Sequence, residues 1–180
     1  MILPIVQFGD PILRKRCKAV TEVTEEIEVL VENMLETMHD AQGVGLAAPQ
    51  VGRDLRLAVV DVSHDPECVS FLKVNGEDAA VEDIMPLVFI NPEFSKSGGR
   101  ERMEEGCLSI EEIQAEVGRP DTVKGSFPQL DGTTLEIEAD GLLARVIQHE
   151  TDHLNGVLFI DRVSAATKLM LRRKLKMLKS

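Results

Sequence analysis

The 180-residue chain contains four histidines, and two of them, His149 and His153, lie four residues apart in VIQHETDHLNG. Glu150 directly follows the first. On a helix this spacing puts two imidazoles on one face beside a carboxylate that can move a proton. That is two ligands of a hydrolytic metal centre and its general base. A lone His-Glu-x-x-His string also occurs by chance in unrelated chains. Here, however, Leu142, Leu143, Val146 and Ile147 make the preceding turns apolar, so the helix is expected to pack inside the protein. Burying two imidazoles and a carboxylate is costly unless something pairs with them, and a metal does so.

A reactive centre needs a third ligand. Metzincins place a third His about six residues after the second, but Phe159 stands there. Thermolysin-like enzymes use a Glu roughly twenty residues downstream, but this chain has no Asp, Glu, His or Cys after Asp161. An apolar run separates Asp161 itself from the helix, so the ligand is expected upstream. Cys107, in Glu105-Gly106-Cys107-Leu108-Ser109, has the most suitable setting. Gly106 would allow close backbone approach, and a metal would hold the thiol as thiolate. The competing reading is a buried structural cysteine. His39, ending a helix, and His64, in a polar loop, stay open as candidates.

A third segment, GVGLAAPQ from Gly43 to Gln50, passes as a string for a dinucleotide fingerprint. A helix precedes the glycines and Pro49 interrupts the residues after them, so nucleotide binding is discounted. The segment reads instead as a glycine turn that brings backbone beside a substrate and aims the Gln50 amide at a carbonyl, or as a tight turn and nothing more.

In this order, GVGLAAPQ, EGCLS and QHETDH resemble the three signature motifs of peptide deformylases. The resemblance extends to IVQFGDPILRK, AEVGRP and GLLARVIQHETDHLNGVLFIDR, and fails mainly between Ser63 and Met85. It implies a metal-dependent hydrolase that removes the formyl group from the initiator methionine of nascent polypeptides and releases formate. Cys107, His149 and His153 would bind the metal, whose acidified water supplies hydroxide near neutral pH. Glu150 would act as general base and acid, while Gln50 and the Leu108 N–H would stabilise the oxyanion. One divalent metal is implied: iron(II) in the cell, with zinc, nickel or cobalt in a purified sample. The peptide would bind in extended form near Gly45. Leu142 and Val146 share a helix face with His149, so an apolar pocket for the methionine side chain is expected there, joined by Met103. Glu105 and Arg119 could pair behind the ligands or form an ordinary salt bridge. Glu111-Glu112 stand where many relatives carry Pro-Gly, so local geometry and the preference for nearby peptide residues do not carry over.

Several elements must position these groups. Thr24 to about Asp40 reads as an amphipathic helix capped by Thr24, and Leu55–Val62 as a buried strand. The polar 63–82 stretch reads as a loop or insertion. Short strands are expected at Leu87–Ile90, Gln114–Val117, Asp121–Phe127 and Thr133–Glu138, with an Asp131-Gly132 turn between the last two. The metal helix opens at Asp140 or Gly141 and stops at Asn155-Gly156. A basic helix comes next, from about 164 to 178. This order predicts an α+β fold in one compact domain spanning 1–180, with mostly antiparallel strands around a central metal-binding helix.

Composition narrows the partners. No Trp or Tyr is present, which argues against a stacking platform for single strands. The net charge is −11, yet the 162–180 tail carries seven Lys or Arg and no acid, leaving −18 on the remainder. Such a body does not attract phosphates, so no DNA partner is expected. The simpler reading of the tail is a solvated face on a helix docked by its leucines. By resemblance, it could also dock on ribosomal RNA. Three scattered cysteines, no long apolar run and no leader-like start suggest a cytoplasmic protein without a membrane partner. Two competing readings are another His-Glu-x-x-His metallopeptidase and a non-catalytic, metal-stabilised adaptor of the translation machinery.

Overall fold

The computed structural model describes residues 1–179. Its helices are α1 (Glu25–Asp40), α2 (Gly141–Leu154) and α3 (Ala165–Leu178). A three-stranded antiparallel sheet is ordered β1 (Gly45–Ala47), β2 (Leu57–Val60), β5 (Leu87–Ile90). A five-stranded antiparallel sheet is ordered β4 (Glu77–Asp78), β3 (Leu72–Val74), β8 (Thr134–Asp140), β7 (Ile110–Pro128), β6 (Glu93–Cys107). The α+β expectation holds.

Helix α2 lies at the centre. Leu143, Ala144, Val146, Ile147 and Leu154 join Val60, Phe89, Val123, Phe127 and Ile137 in one core, so the helix packs against strands of both sheets. Helix α1 begins where the Thr24 hydroxyl accepts from the Ile27 N–H. Its buried Ile27, Leu30, Val31, Met34 and Met38 pack against Leu46, Leu57 and Val59. A third core gathers Leu13, Ile110, Ile113, Val117 and Phe159, and α3 docks on it through half-buried Leu171 and Leu175. Leu169, Met170 and Met177 of that helix are exposed, so only some of its apolar residues dock it. Among the described residues, no helix is long and apolar enough to cross a membrane.

The start of α2 is fixed by its surroundings. The Asp140 carboxylate accepts from the backbone N–H of Ser70 and Phe71 instead of capping its own helix. Gly141 has φ +59°, and a Cβ there would lie 2.0 Å from the Cys68 carbonyl oxygen. Only glycine fits that corner.

Three expectations need correction. The 63–82 segment is not simply a loop. Asn75 (φ +54°) and Gly76 (φ +83°) form a two-residue hairpin turn, and β3 pairs with β8 inside the larger sheet. Asn-Gly is the residue pair such a turn favours, but the surrounding polarity hides it. The separate strands at Gln114–Val117 and Asp121–Phe127 are one strand, β7. It pairs along most of its length with β6, which carries no alternating apolar pattern because it is an edge strand with most residues exposed. The strand expected at Leu55–Val62 is confined to Leu57–Val60.

Candidate metal centre

Helix geometry and the β6–β7 turn bring three potential metal donors together. His149 and His153 stand one turn apart on α2, ring centroids 5.1 Å from each other. Cys107 ends β6 and pairs with Ile110 across a two-residue turn, Leu108-Ser109. Its Sγ lies 3.4 Å from His153 Nε2. One donor atom from each of Cys107, His149 and His153 lies within 4.8 Å of the other two. His39 instead faces Asp61 at 2.9 Å, and His64 lies beside Asp65, so neither joins the site. One thiolate and two imidazoles converging on one point suit a transition metal with an open coordination position.

The surroundings orient the donors. Glu105 accepts from His149 Nδ1 at 2.9 Å, which turns the other ring nitrogen toward the site. Burial and the neighbouring His149 push His153 well below the usual imidazole pKa, favouring its neutral, ligating form. For His149, burial opposes charge, but its contacts with Cys107 and Glu105 raise it to about 10. A metal bound there displaces that proton.

The Glu105–Arg119 pair exists and belongs to a larger network. Arg119, 2% exposed, donates Nε and Nη2 to Glu105 at 2.7 and 2.9 Å and Nη1 to Asp152 at 2.9 Å. Arg145 Nη1 reaches Glu105 at 2.5 Å, and Arg162 donates twice to Asp152. Although burial opposes ionisation of Glu105, these cations and His149 hold its carboxyl far below the usual range. Arg145, Asp152, Arg162 and Ser109 are the residues that sequence reasoning missed. Asp152 sits inside the QHETDH motif, and a charge on so apolar a helix was itself a signal that a buried partner must exist.

Glu150 lies outside the group of three converging donors. It is 4% exposed, its Oε2 has no hydrogen-bond partner, and burial raises its carboxyl to about 7. The Gly45 backbone packs against it, and a Cβ on Gly45 would lie 2.5 Å from Glu150 Oε1. The glycine therefore leaves room for the carboxylate. Gly106 is different, since a Cβ there would make only ordinary contacts. Gln50 is buried with its amide fixed. Oε1 accepts from the Ala47 N–H at 2.9 Å, while Nε2 donates to Ser109 Oγ and points toward Cys107 Sγ at 3.5 Å.

A cleft of about 1070 Å³ opens onto these groups. Gly45, Gln50, Met103, Leu108, Leu142 and Val146 all line it, together with His149 and Glu150. Apart from His39 and His64, every site residue expected from the sequence therefore lines this cleft or, like His153 and Arg119, lies directly behind it.

The polypeptide deformylase family model matches residues 2–169. A peptide deformylase of Salinibacter ruber is 46% identical over 177 residues, covering 98% of this chain and 88% of the relative. The crystal structure of a peptide deformylase from Synechococcus elongatus in complex with actinonin superposes with a TM-score of 0.80 at 40% identity. That match covers 98% of this chain and 85% of the other. The peptide deformylase structure from Thermotoga maritima gives a TM-score of 0.77 at 44% identity, over 91% of this chain and 99% of that one. With its converging donors, buried carboxylate and cleft arranged as described, the chain belongs to the peptide deformylase family and is an enzyme of that family.

Proposed function

We propose that Cys107, His149 and His153 hold the metal with which this chain hydrolyses the N-formyl group of initiator methionine on nascent polypeptides. The observation that carries this reading is a buried, unpartnered Glu150 oxygen beside three converging donors in an open cleft. When bound, a divalent metal supplies Lewis acidity and lowers the pKa of a water. Glu150 takes the proton from the attacking water and returns it to the departing amine. Its raised pKa, about 7, suits both halves of that transfer. Gln50 Nε2 and the Leu108 N–H stabilise the developing oxyanion. The Gln50 amide is suited to this because the Ala47 N–H holds its oxygen and leaves the NH₂ facing the site.

The methionine side chain sits against Leu142, Val146 and Met103, and the peptide extends along the open edge of β1 at Gly45, as an added strand would. Acting on a substrate made during translation, the enzyme works in the cytoplasm, and residues 1–180 act as one catalytic domain. The resident ion is iron(II), with zinc, nickel or cobalt able to occupy the same donors. Anaerobic reconstitution with each ion, followed by formate release from formyl-Met peptides, tests both claims. Fastest turnover with zinc overturns the iron assignment, and no formate with any ion overturns the reaction.

The basic α3 adds a docking function on ribosomal RNA. Arg172, Arg173, Lys174 and Lys176 are exposed on a helix without a single acid. Phosphate contacts make such binding steeply salt-dependent. Deleting residues 168–180 is expected to weaken ribosome co-sedimentation at low salt. Unchanged affinity refutes the docking role.

A further inference from the structure

The cleft rim carries a feature that the hydrolytic reaction does not use. Cys107 pairs with Ile110, but Gly106 pairs with Gln114, so residues 111–113 have no partners on β6. Bulges of this kind re-aim side chains and often lie beside active sites. Buried Ile113 anchors this one. Glu111 and Glu112 are exposed and line the cleft, with Glu112 held at φ +64°. Glu104 lines the same cleft and is also exposed. Among the described residues, none of the three carboxylates makes a side-chain hydrogen bond or ion pair at the cleft. Arg145 is already engaged by Glu105, which leaves Lys174 as the other Lys or Arg lining the cleft among the described residues.

That this cleft receives a ligand is indicated independently by the unpartnered Glu150 oxygen that lines it. An extended chain advances ~3.3 Å per residue. A peptide whose first residue sits at the metal centre therefore carries its next few side chains toward the mouth of the cleft.

We infer that Glu111 and Glu112, with Glu104, form a specificity rim that favours Lys or Arg, and disfavours Asp or Glu, a few residues after the formyl-methionine. This rests on the deformylase reading.

The test measures kcat/KM of the metal-loaded enzyme on formyl-Met-Ala-Ala-Ala and on matched peptides with one Lys or one Glu moved from position two to position four. At one position at least, the Lys peptide is expected to exceed the Glu peptide by about tenfold at low salt, the scale of a few partly screened charge pairs. Molar salt should compress that ratio. In Glu111→Gln/Glu112→Gln the ratio should fall to about two, and Glu111→Asp/Glu112→Asp should restore part of it. Taking the ratio within each enzyme cancels any general loss of activity, and the single Gln variants carry the same test if the double variant folds poorly. Glu28→Gln/Glu32→Gln on the exposed face of α1 removes equal charge outside the cleft and should keep the wild-type ratio. The inference is overturned by a ratio near one at every position, by a ratio that survives in the rim variants, or by equal loss in the α1 control. Absence of formate from the neutral peptide would instead refute the deformylase reading.

Discussion

Glu150→Gln is expected to lower kcat by about 10²–10⁴, the usual contribution of a positioned proton carrier, while the protein keeps its metal. The separation of the two effects comes from the geometry. Glu150 sits beside the three donors without belonging to them, and its Oε2 has no protein partner to lose. The amide has nearly the same shape, so the packing against Gly45 is retained. What disappears is a group that burial holds near pKa 7, able to accept a proton from water and return it to an amine. Formate release and metal content measured on the same preparation decide the matter. Turnover within tenfold of wild type would remove Glu150 from the reaction. Loss of metal along with activity would mean that the carboxylate builds the site and does not serve it.

Arg119→Met is expected to destabilise the fold by about 3–5 kcal/mol, because removing one member of a buried ionic network strands the charges left behind. Arg119 is the shared partner of Glu105 and Asp152, and both acids are buried. Arg145 and Arg162 would remain beside them but do not replace the guanidinium that joins the two. For a domain of this size the loss corresponds to a fall in Tm of roughly 10 °C. Glu105 also orients His149, so metal affinity should drop by about 10–100-fold. Urea unfolding and metal competition read the two effects separately. A destabilisation below about 1 kcal/mol, in the range of an exposed pair, would show that the network is not acting as a buried unit.

The chemistry was more legible in the sequence than the framework that holds it. His149, Glu150 and His153 share a short helical segment, so their spacing specifies their relation. Cys107 and Gln50 were legible as members of short motifs, and the surrounding loops bring both to the same cleft. Strand β6 was not legible. An edge strand exposed along most of its length carries no period-two apolar pattern, and its Gly98-Gly99 step reads as a break although the hairpin continues past it with a register shift. The β3–β4 hairpin was lost in the same way, with Asn75-Gly76 set among polar residues that promise a loop.

The sequence by itself determined the two histidines and the carboxylate between them, the glycine turn and the family of the chain, because each is a local pattern in which residue type and spacing already imply the chemistry. The EGCLS motif already pointed to Cys107, but only folding shows that His39 faces Asp61 while the end of β6 reaches α2. Tertiary structure alone made Arg119 the bridge between Glu105 and Asp152, residues separated by 47 positions in the chain. It alone turned Glu111 and Glu112 from a departure in a motif into an acidic rim, because a bulge aims them at the cleft. Contacts between distant segments depend on how strands pair and helices pack, and the burial that makes such contacts matter does not exist until the chain has folded.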